Sequence, residues 1–278
     1  MSGLEGKVAI VTGAARHRGI GRAIAVRLAE DGAHVTAVGS PRPPESYPEQ
    51  ERAAGWRGVA SVAEEVEALG RRALAIDADI TQKAEAERIV DETVAAFGRV
   101  DILVNNAGLA YCGERNLWEI DDDEWYRVVE VNLNAVYLLT SAAMRRMVPD
   151  ARGGRIVNIS SSAGRMGVPQ YGAYCATKWG IIGLTQMLAV EAAPHNVTVN
   201  CVAPGSVDTD MMDGTFSHMA KRYGTDMAPM KQAVVRTIAL GRQGRPIDIA
   251  GAVAFFASDD ASWITGQTLN VNGGTPMN

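Results

Sequence analysis

Lys7-Val-Ala-Ile-Val-Thr12, running into Gly13-Ala-Ala-Arg-His-Arg-Gly19-Ile-Gly21, sets the architecture of the chain. The apolar run after Lys7 predicts a buried strand. The residues that follow predict a helix, with Ile20, Ile24, Ala25 and Leu28 on one stripe and Gly32 as its stop. Between them lies a turn whose glycines let the backbone approach an anion, while the helix N-terminus offers N–H groups and the positive end of its dipole. An ordinary tight turn would share these residues. The order strand, glycine-rich turn, helix is what favours a pyrophosphate site at Gly13, Gly19, Ile20 and Gly21.

The same alternation continues outward. His34–Gly39 reads as a second strand, ending where dinucleotide sites select the adenosine ribose. An acidic side chain there holds the 2′-hydroxyl of NAD, and an arginine accommodates the 2′-phosphate of NADP. Gly39, Ser40, Pro41 and Arg42 stand at that point with no carboxylate before Glu45, so NADP(H) is expected, with NAD(H) as the alternative. Residues 41–58 are Pro-rich, polar and long for such a connection, and read as an ordered insertion near the adenosine end. A helix over 59–69 follows, then a strand Ala73–Ala78 leading to Asp79-Ile80. Thr81 is the expected N-cap of the next helix, which stops near Gly98.

Asp101–Val104 reads as a fourth strand running into Asn105-Asn106-Ala107-Gly108. From Asp123 a long amphipathic helix passes Trp125, Val128, Val129, Val131 and Leu133, with Asn132 inside it. Asn is a poor helix former and costly when buried unless hydrogen-bonded, so it is either a satisfied core residue or a functional one. Gly154–Ile159 and Val197–Val202 are further strands, followed by Ser160-Ser161-Ser162 and by Pro204-Gly205-Ser206-Val207-Asp208-Thr209. A last helix over Ile247–Phe256 leads to a strand Thr268–Val271. The expected fold is α/β, a doubly wound parallel sheet with helices on both faces, in one domain spanning 1–278. In such sheets ligands lie beyond the carboxyl ends of the strands, where all these polar turns converge. Residues 210–240 are Met-rich and weakly patterned, which suits either core filling or an adaptable substrate lid.

A chain of 278 residues with 47% hydrophobic content can bury a full core, and its formal charge of −5 argues against a nucleic-acid or strongly anionic membrane partner. No apolar run approaches the ~18 residues that span a bilayer. Met1–Lys7 shows no charged-then-apolar leader, and Cys112, Cys175 and Cys201 have no metal-like spacing. The expectation is a cytoplasmic protein with reduced thiols and no bound metal. Cys175 reads as a small buried filler rather than a nucleophile.

Tyr174-Cys175-Ala176-Thr177-Lys178 opens a helix-period run through Ile181, Leu184, Leu188 and Val190. Residues four apart share a helix face, so the Tyr174 hydroxyl and Lys178 ammonium can serve one small volume. A nearby cation draws a phenol pKa down from about 10, towards the range in which it exchanges a proton with an alcohol or carbonyl oxygen. Any of Ser160, Ser161 and Ser162 could set a hydroxyl against the same oxygen, or serve only the turn.

With these pieces in place the chain resembles the short-chain dehydrogenase/reductase family over essentially its whole length. The resemblance rests on Thr12-Gly13…Gly19-Ile20-Gly21, Asp79, Asn105–Gly108, Asn132, Ser161, Tyr174…Lys178, Pro204-Gly205…Thr209, Gly241-Arg242…Gly244-Arg245-Pro246 and Ile264-Thr265-Gly266-Gln267. One departure stands out. Five residues separate Gly13 from Gly19 where the family usually has three, which leaves Ala15, Arg16, His17 and Arg18 unassigned.

The resemblance implies Tyr174 as general acid/base and Lys178 as the residue that tunes it and holds the nicotinamide ribose. It implies Ser161, thirteen residues before Tyr174, as the substrate-oxygen contact, and Asn132 as the anchor of a water relay. Asp79 with Ile80 would meet the adenine, and Asn105 to Gly108, with Asn106 and Ala107 between them, would line the adenosine and ribose path. Pro204, Gly205, Val207 and Thr209 would lie along the carboxamide and phosphates. The implied activity is reversible hydride transfer between the cofactor and a ketone or aldehyde. Alternatives are the same chemistry on an imine or activated alkene, or a non-catalytic dinucleotide sensor. The substrate pocket would draw on Leu109, Ala110, Tyr111, Arg165, Met166, Gln170 and Tyr171, and the implied assembly is a homotetramer or dimer.

Overall fold

Continuous runs rich in β-branched residues build a sheet that is covered on both faces. The computed structural model describes residues 3–110 and 115–275. The first half of the chain forms β1 (Val8–Thr12), α1 (Ile20–Glu30), β2 (His34–Gly39), α2 (Glu49–Ala53), α3 (Val59–Ala68), β3 (Ala73–Asp77), α4 (Lys83–Phe97) and β4 (Ile102–Asn105). Then come α5 (Asp122–Val129), α6 (Ala135–Asp150), β5 (Gly154–Ile159), α7 (Gly172–Ala192) and β6 (Val197–Pro204). The chain continues through α8 (Asp210–Tyr223), α9 (Met227–Thr237), α10 (Pro246–Ala257) and β7 (Thr268–Val271).

Among the described residues the strands form one seven-stranded sheet in the order β3-β2-β1-β4-β5-β6-β7, every pairing parallel. Successive side chains alternate between its faces. Ala9, Val11, Ile102, Val104 and Val157 point to one face. They pack there against Ile24, Ala25 and Leu28 of α1, Val62 and Val66 of α3, and Ile249 and Val253 of α10. Ile10, Leu103 and Ile156 point to the other, under Ile89 and Val90 of α4, Leu139 and Ala143 of α6, and Ala189 of α7. The chain reverses direction across the sheet between β1 and β4, and a crevice opens there at the carboxyl edge.

Local expectations needed three adjustments. Thr81 does not cap α4: Gln82 holds the N-cap position with no side-chain cap, and the Thr81 hydroxyl donates to Asp79 Oδ1 at 2.7 Å. The Asp79 carboxylate takes both the Thr81 N–H, at 3.1 Å, and its O–H in a local turn ahead of the helix. Residues 210–240, weakly patterned in sequence, form the two helices α8 and α9. The long helix entered near Asp123 is interrupted by a π-helical turn, Glu130–Asn134, between α5 and α6. No helix among the described residues is long and apolar enough to cross a membrane.

Candidate active site

The crevice holds a cavity of about 480 Å³. Its walls carry Gly13, Gly19, Ile20, Ser40, Arg42, Asp79, Ile80, Asn106, Ala107, Gly108, Tyr174, Lys178, Pro204 and Thr209, contributed by turns far apart in sequence. At the junction of β1 and β4, Thr12 and Asn106 knit the two strand ends together. Asn106 N and Ala107 N donate to Thr12 Oγ1 at 3.0 and 3.1 Å, and Asn106 Nδ2 donates to Thr12 O at 2.8 Å. Gly21 lies behind this seam and not in the wall. A Cβ there would stand 2.3 Å from Gly13 O, so the glycine is what lets α1 pack so close.

The helix α7 brings Tyr174 and Lys178 to the cavity together. Lys178 is buried; its Nζ donates to Ile159 O at 2.8 Å and lies 5.5 Å from the centroid of the Tyr174 ring. Loss of solvent is the main reason its amine falls to about 8. Burial likewise pushes the neighbouring Cys201 thiol up to about 11.

The three serines divide their work. Ser160 donates to Lys178 O at 2.7 Å and Ser162 to Pro204 O at 3.2 Å, so both bind backbone. Ser161 Oγ accepts from Ala163 N at 3.1 Å, which uses a lone pair and not its O–H. Ser161 lies outside the cavity wall proper, at the end of β5.

Asn132 is fully buried behind the wall, in the π turn. Its Oδ1 accepts from Leu109 N at 2.7 Å. Its Nδ2 donates to Leu109 O at 2.9 Å and to Thr177 Oγ1 at 3.3 Å. One amide therefore ties the loop after β4 to the helix carrying Tyr174. Gly205 and Val207 also stand back from the wall. Gly205 accommodates Asn272, whose Cβ would be 2.7 Å from an added Cβ, and Val207 belongs to the core.

At the far end, Arg42 lines the cavity with Arg16 nearby. Burial first, and Arg16 second, lower the Arg42 pKa. Asp79 is held below its usual value chiefly by the Thr81 hydroxyl. Of the expected substrate contacts, Leu109 and Ala110 line the cavity; Arg165, Met166, Gln170 and Tyr171 do not, and Tyr111 lies outside the described residues, as does the Cys112 thiol. Arg16, Arg18, Val131, Met211, Thr215 and His218 line it without having been assigned from sequence. The basic residues of the long glycine loop were the available signal for the first two.

The residues present fit a nicotinamide dinucleotide. The N-terminus of α1 has no side-chain cap and no acid in its first turn, and arginines stand at the end of β2, so phosphate groups would meet amides and guanidinium groups. The family model described as enoyl-(acyl carrier protein) reductase matches residues 13–276. A short-chain dehydrogenase/reductase of Armillaria gallica is 39% identical over 270 residues, covering 97% of this chain and 96% of the relative. The 3-oxoacyl-[acyl-carrier-protein] reductase FabG of Haemophilus influenzae is 40% identical over 271 residues, 98% of each chain. Carveol dehydrogenase from Mycobacterium avium, solved in complex with NAD, superposes with a TM-score of 0.87 at 34% identity, covering 99% of both chains. By fold, site and likeness along its whole length, the chain belongs to the short-chain dehydrogenase/reductase family of NAD(P)-dependent oxidoreductases.

Proposed function

We propose that the protein is an NADPH-preferring reductase of a ketone or aldehyde, reversible as an alcohol dehydrogenase. The observation that carries this reading is the pairing of Tyr174 with a buried Lys178 in the wall of one cavity. Tyr174 gives its phenolic proton to the carbonyl oxygen as that oxygen gains charge. Lys178, protonated below about pH 8, favours the phenolate that remains. Ser161 turns its O–H to the same oxygen, and Asn132 holds the Leu109 backbone and anchors a water through which the proton is restored. When bound, the reduced nicotinamide supplies the hydride. Ser40, Arg42 and Arg16 receive the 2′-phosphate, which supports NADPH over NADH. Residues 210–240 form the substrate lid.

We further propose one domain carrying the 41–58 insertion, a cytoplasmic location, and assembly as a homodimer or homotetramer. The family model's description also names an enoyl substrate, so reduction of an activated alkene is the second reading. A panel of ketones, aldehydes and enones assayed for NADPH oxidation, with product analysis, separates the two. Turnover of a ketone or aldehyde to its alcohol is expected. Tyr174→Phe should lower kcat by about 10²-fold or more while still binding NADPH. Near-native turnover in that variant, or saturated products alone from enones, would sink the carbonyl reading.

A further inference from the structure

The lengthened glycine loop and the 41–58 insertion form one unit in the folded chain. On its outer side the loop is held by the insertion. Glu51 of α2, only 3% exposed, accepts from His17 N at 2.9 Å and lies 3.5 Å from the Arg16 guanidinium. Trp56 donates its indole N–H to Ala15 O at 2.7 Å, and its ring stands 4.8 Å from that of His17 and 5.4 Å from the Arg22 guanidinium. Ala15 to His17 are thereby fixed from outside.

Arg18, the next residue, reaches the opposite way. Its Nη2 bonds Asp208 Oδ1 at 3.1 Å, and its Nη1 bonds Asp210 Oδ1 at 3.1 Å and Asp213 Oδ2 at 2.8 Å. Asp208 also holds Lys231 Nζ of α9 at 3.3 Å. One guanidinium on the phosphate loop thus gathers three carboxylates from the segment that opens α8, and through Asp208 it reaches α9.

Single pairs this exposed contribute little, but a planar fork shared by three carboxylates acts as a network. Without the cation those carboxylates would repel one another at the first turn of α8. The same turn and the two that follow present Met211, Thr215 and His218 to the cavity.

We infer that Arg18 is a positioning residue: from the cofactor side it fixes α8 over the substrate end of the cavity, so that substrate affinity, more than the hydride step, depends on it. This rests on the reading of residues 210–240 as the lid. The two are separable, because the position of α8 can be measured without turnover.

Hydrogen–deuterium exchange of the full chain, with and without NADPH, is the direct test. Arg18→Ala should speed exchange in peptides from 213–237 by about ten-fold or more, while those from β1, β4 and β5 match wild type. With the best ketone from the carbonyl panel, KM should rise about ten-fold and kcat change by less than about three-fold. Arg18→Lys, which keeps the charge but loses the fork, should restore part of both. Asp213→Asn should shift exchange the same way but less, and should add little on top of Arg18→Ala. Unchanged exchange over 213–237 in Arg18→Ala overturns the inference, as does a fall in kcat at constant KM. Should Arg18→Ala fail to fold, Asp208→Asn and Asp213→Asn decide by the same exchange peptides. Failure of every carbonyl to react would remove the proposed activity and leave the exchange result standing.

Discussion

Lys178 carries its amine where water is excluded, with Ile159 O as the hydrogen-bond acceptor and the Tyr174 ring beside it. Its amine falls from 10.5 to about 8, chiefly through desolvation. The sign follows from linkage. Below about pH 8 both folded and unfolded chains hold the proton, and the cost of burying the charge is fully present. Between about 8 and 10.5 the unfolded chain binds more protons, so stability from this group rises with pH, by about 3 kcal/mol in all. Lys178→Met lacks that titration. Urea unfolding of both proteins at pH 7, 9 and 10 should therefore show wild type gaining on the variant as pH rises; parallel curves would refute the desolvated amine. On the proposed mechanism the same titration should limit catalysis, because above about pH 8 Lys178 would lose the charge that supports the phenolate.

At the scale of an element, the end of β2 shows why a test of the proposed cofactor choice belongs beyond Gly39 and not at it. A Cβ on Gly39 would stand 2.7 Å from Ala15 Cβ and 2.9 Å from Val59 Cγ1, neither of which is the end of a flexible side chain. Gly39→Asp should therefore cost about 1–3 kcal/mol from overpacking alone, visible as a lowered Tm. Ser40 lines the cavity and is exposed, so Ser40→Asp should fold normally. It should lower the NADPH to NADH ratio of kcat/KM by about ten-fold or more by meeting the 2′-phosphate with a like charge. Arg42→Ala should move that ratio the same way. An unchanged ratio in both variants, or preference of the wild type for NADH, would reject the assignment of this turn.

Across the whole molecule, α6 and α7 leave Tyr137, Met187 and Val190 exposed, with Leu184 and Met144 lining a shallow pocket between the two helices. Elsewhere Trp263 is 99% exposed, and Leu269 of the edge strand β7 is also uncovered. Apolar surface on one helical face and beside an edge strand suits contact with further copies of the chain. Light scattering after size exclusion is expected to give a dimer or tetramer of the 29.6 kDa chain. Val190→Asp, 76% exposed and so tolerable in a monomer, should lower that mass without unfolding the protein. A wild-type monomer at micromolar concentration, or an assembly indifferent to Val190→Asp, would rule out this face.

The sequence by itself determined the strands, the helices packed on the sheet and their alternation, because burial on a pleated sheet or helix face imposes a short period on neighbouring residues; α2, α8 and α9 were not legible in it. It also set the strand–turn–helix at Gly13–Gly21 and the four-residue spacing of Tyr174 and Lys178, both local geometries. Tertiary structure alone decided where polar side chains spend their hydrogen bonds. Thr81 turns to Asp79 and leaves α4 uncapped, and Ser160 and Ser162 bind Lys178 O and Pro204 O. Asn132 grips both backbone groups of Leu109 across 23 residues, and Arg18 finds carboxylates 190 to 195 residues away. Such partners depend on which strand ends the sheet order brings together, and no local period records that order.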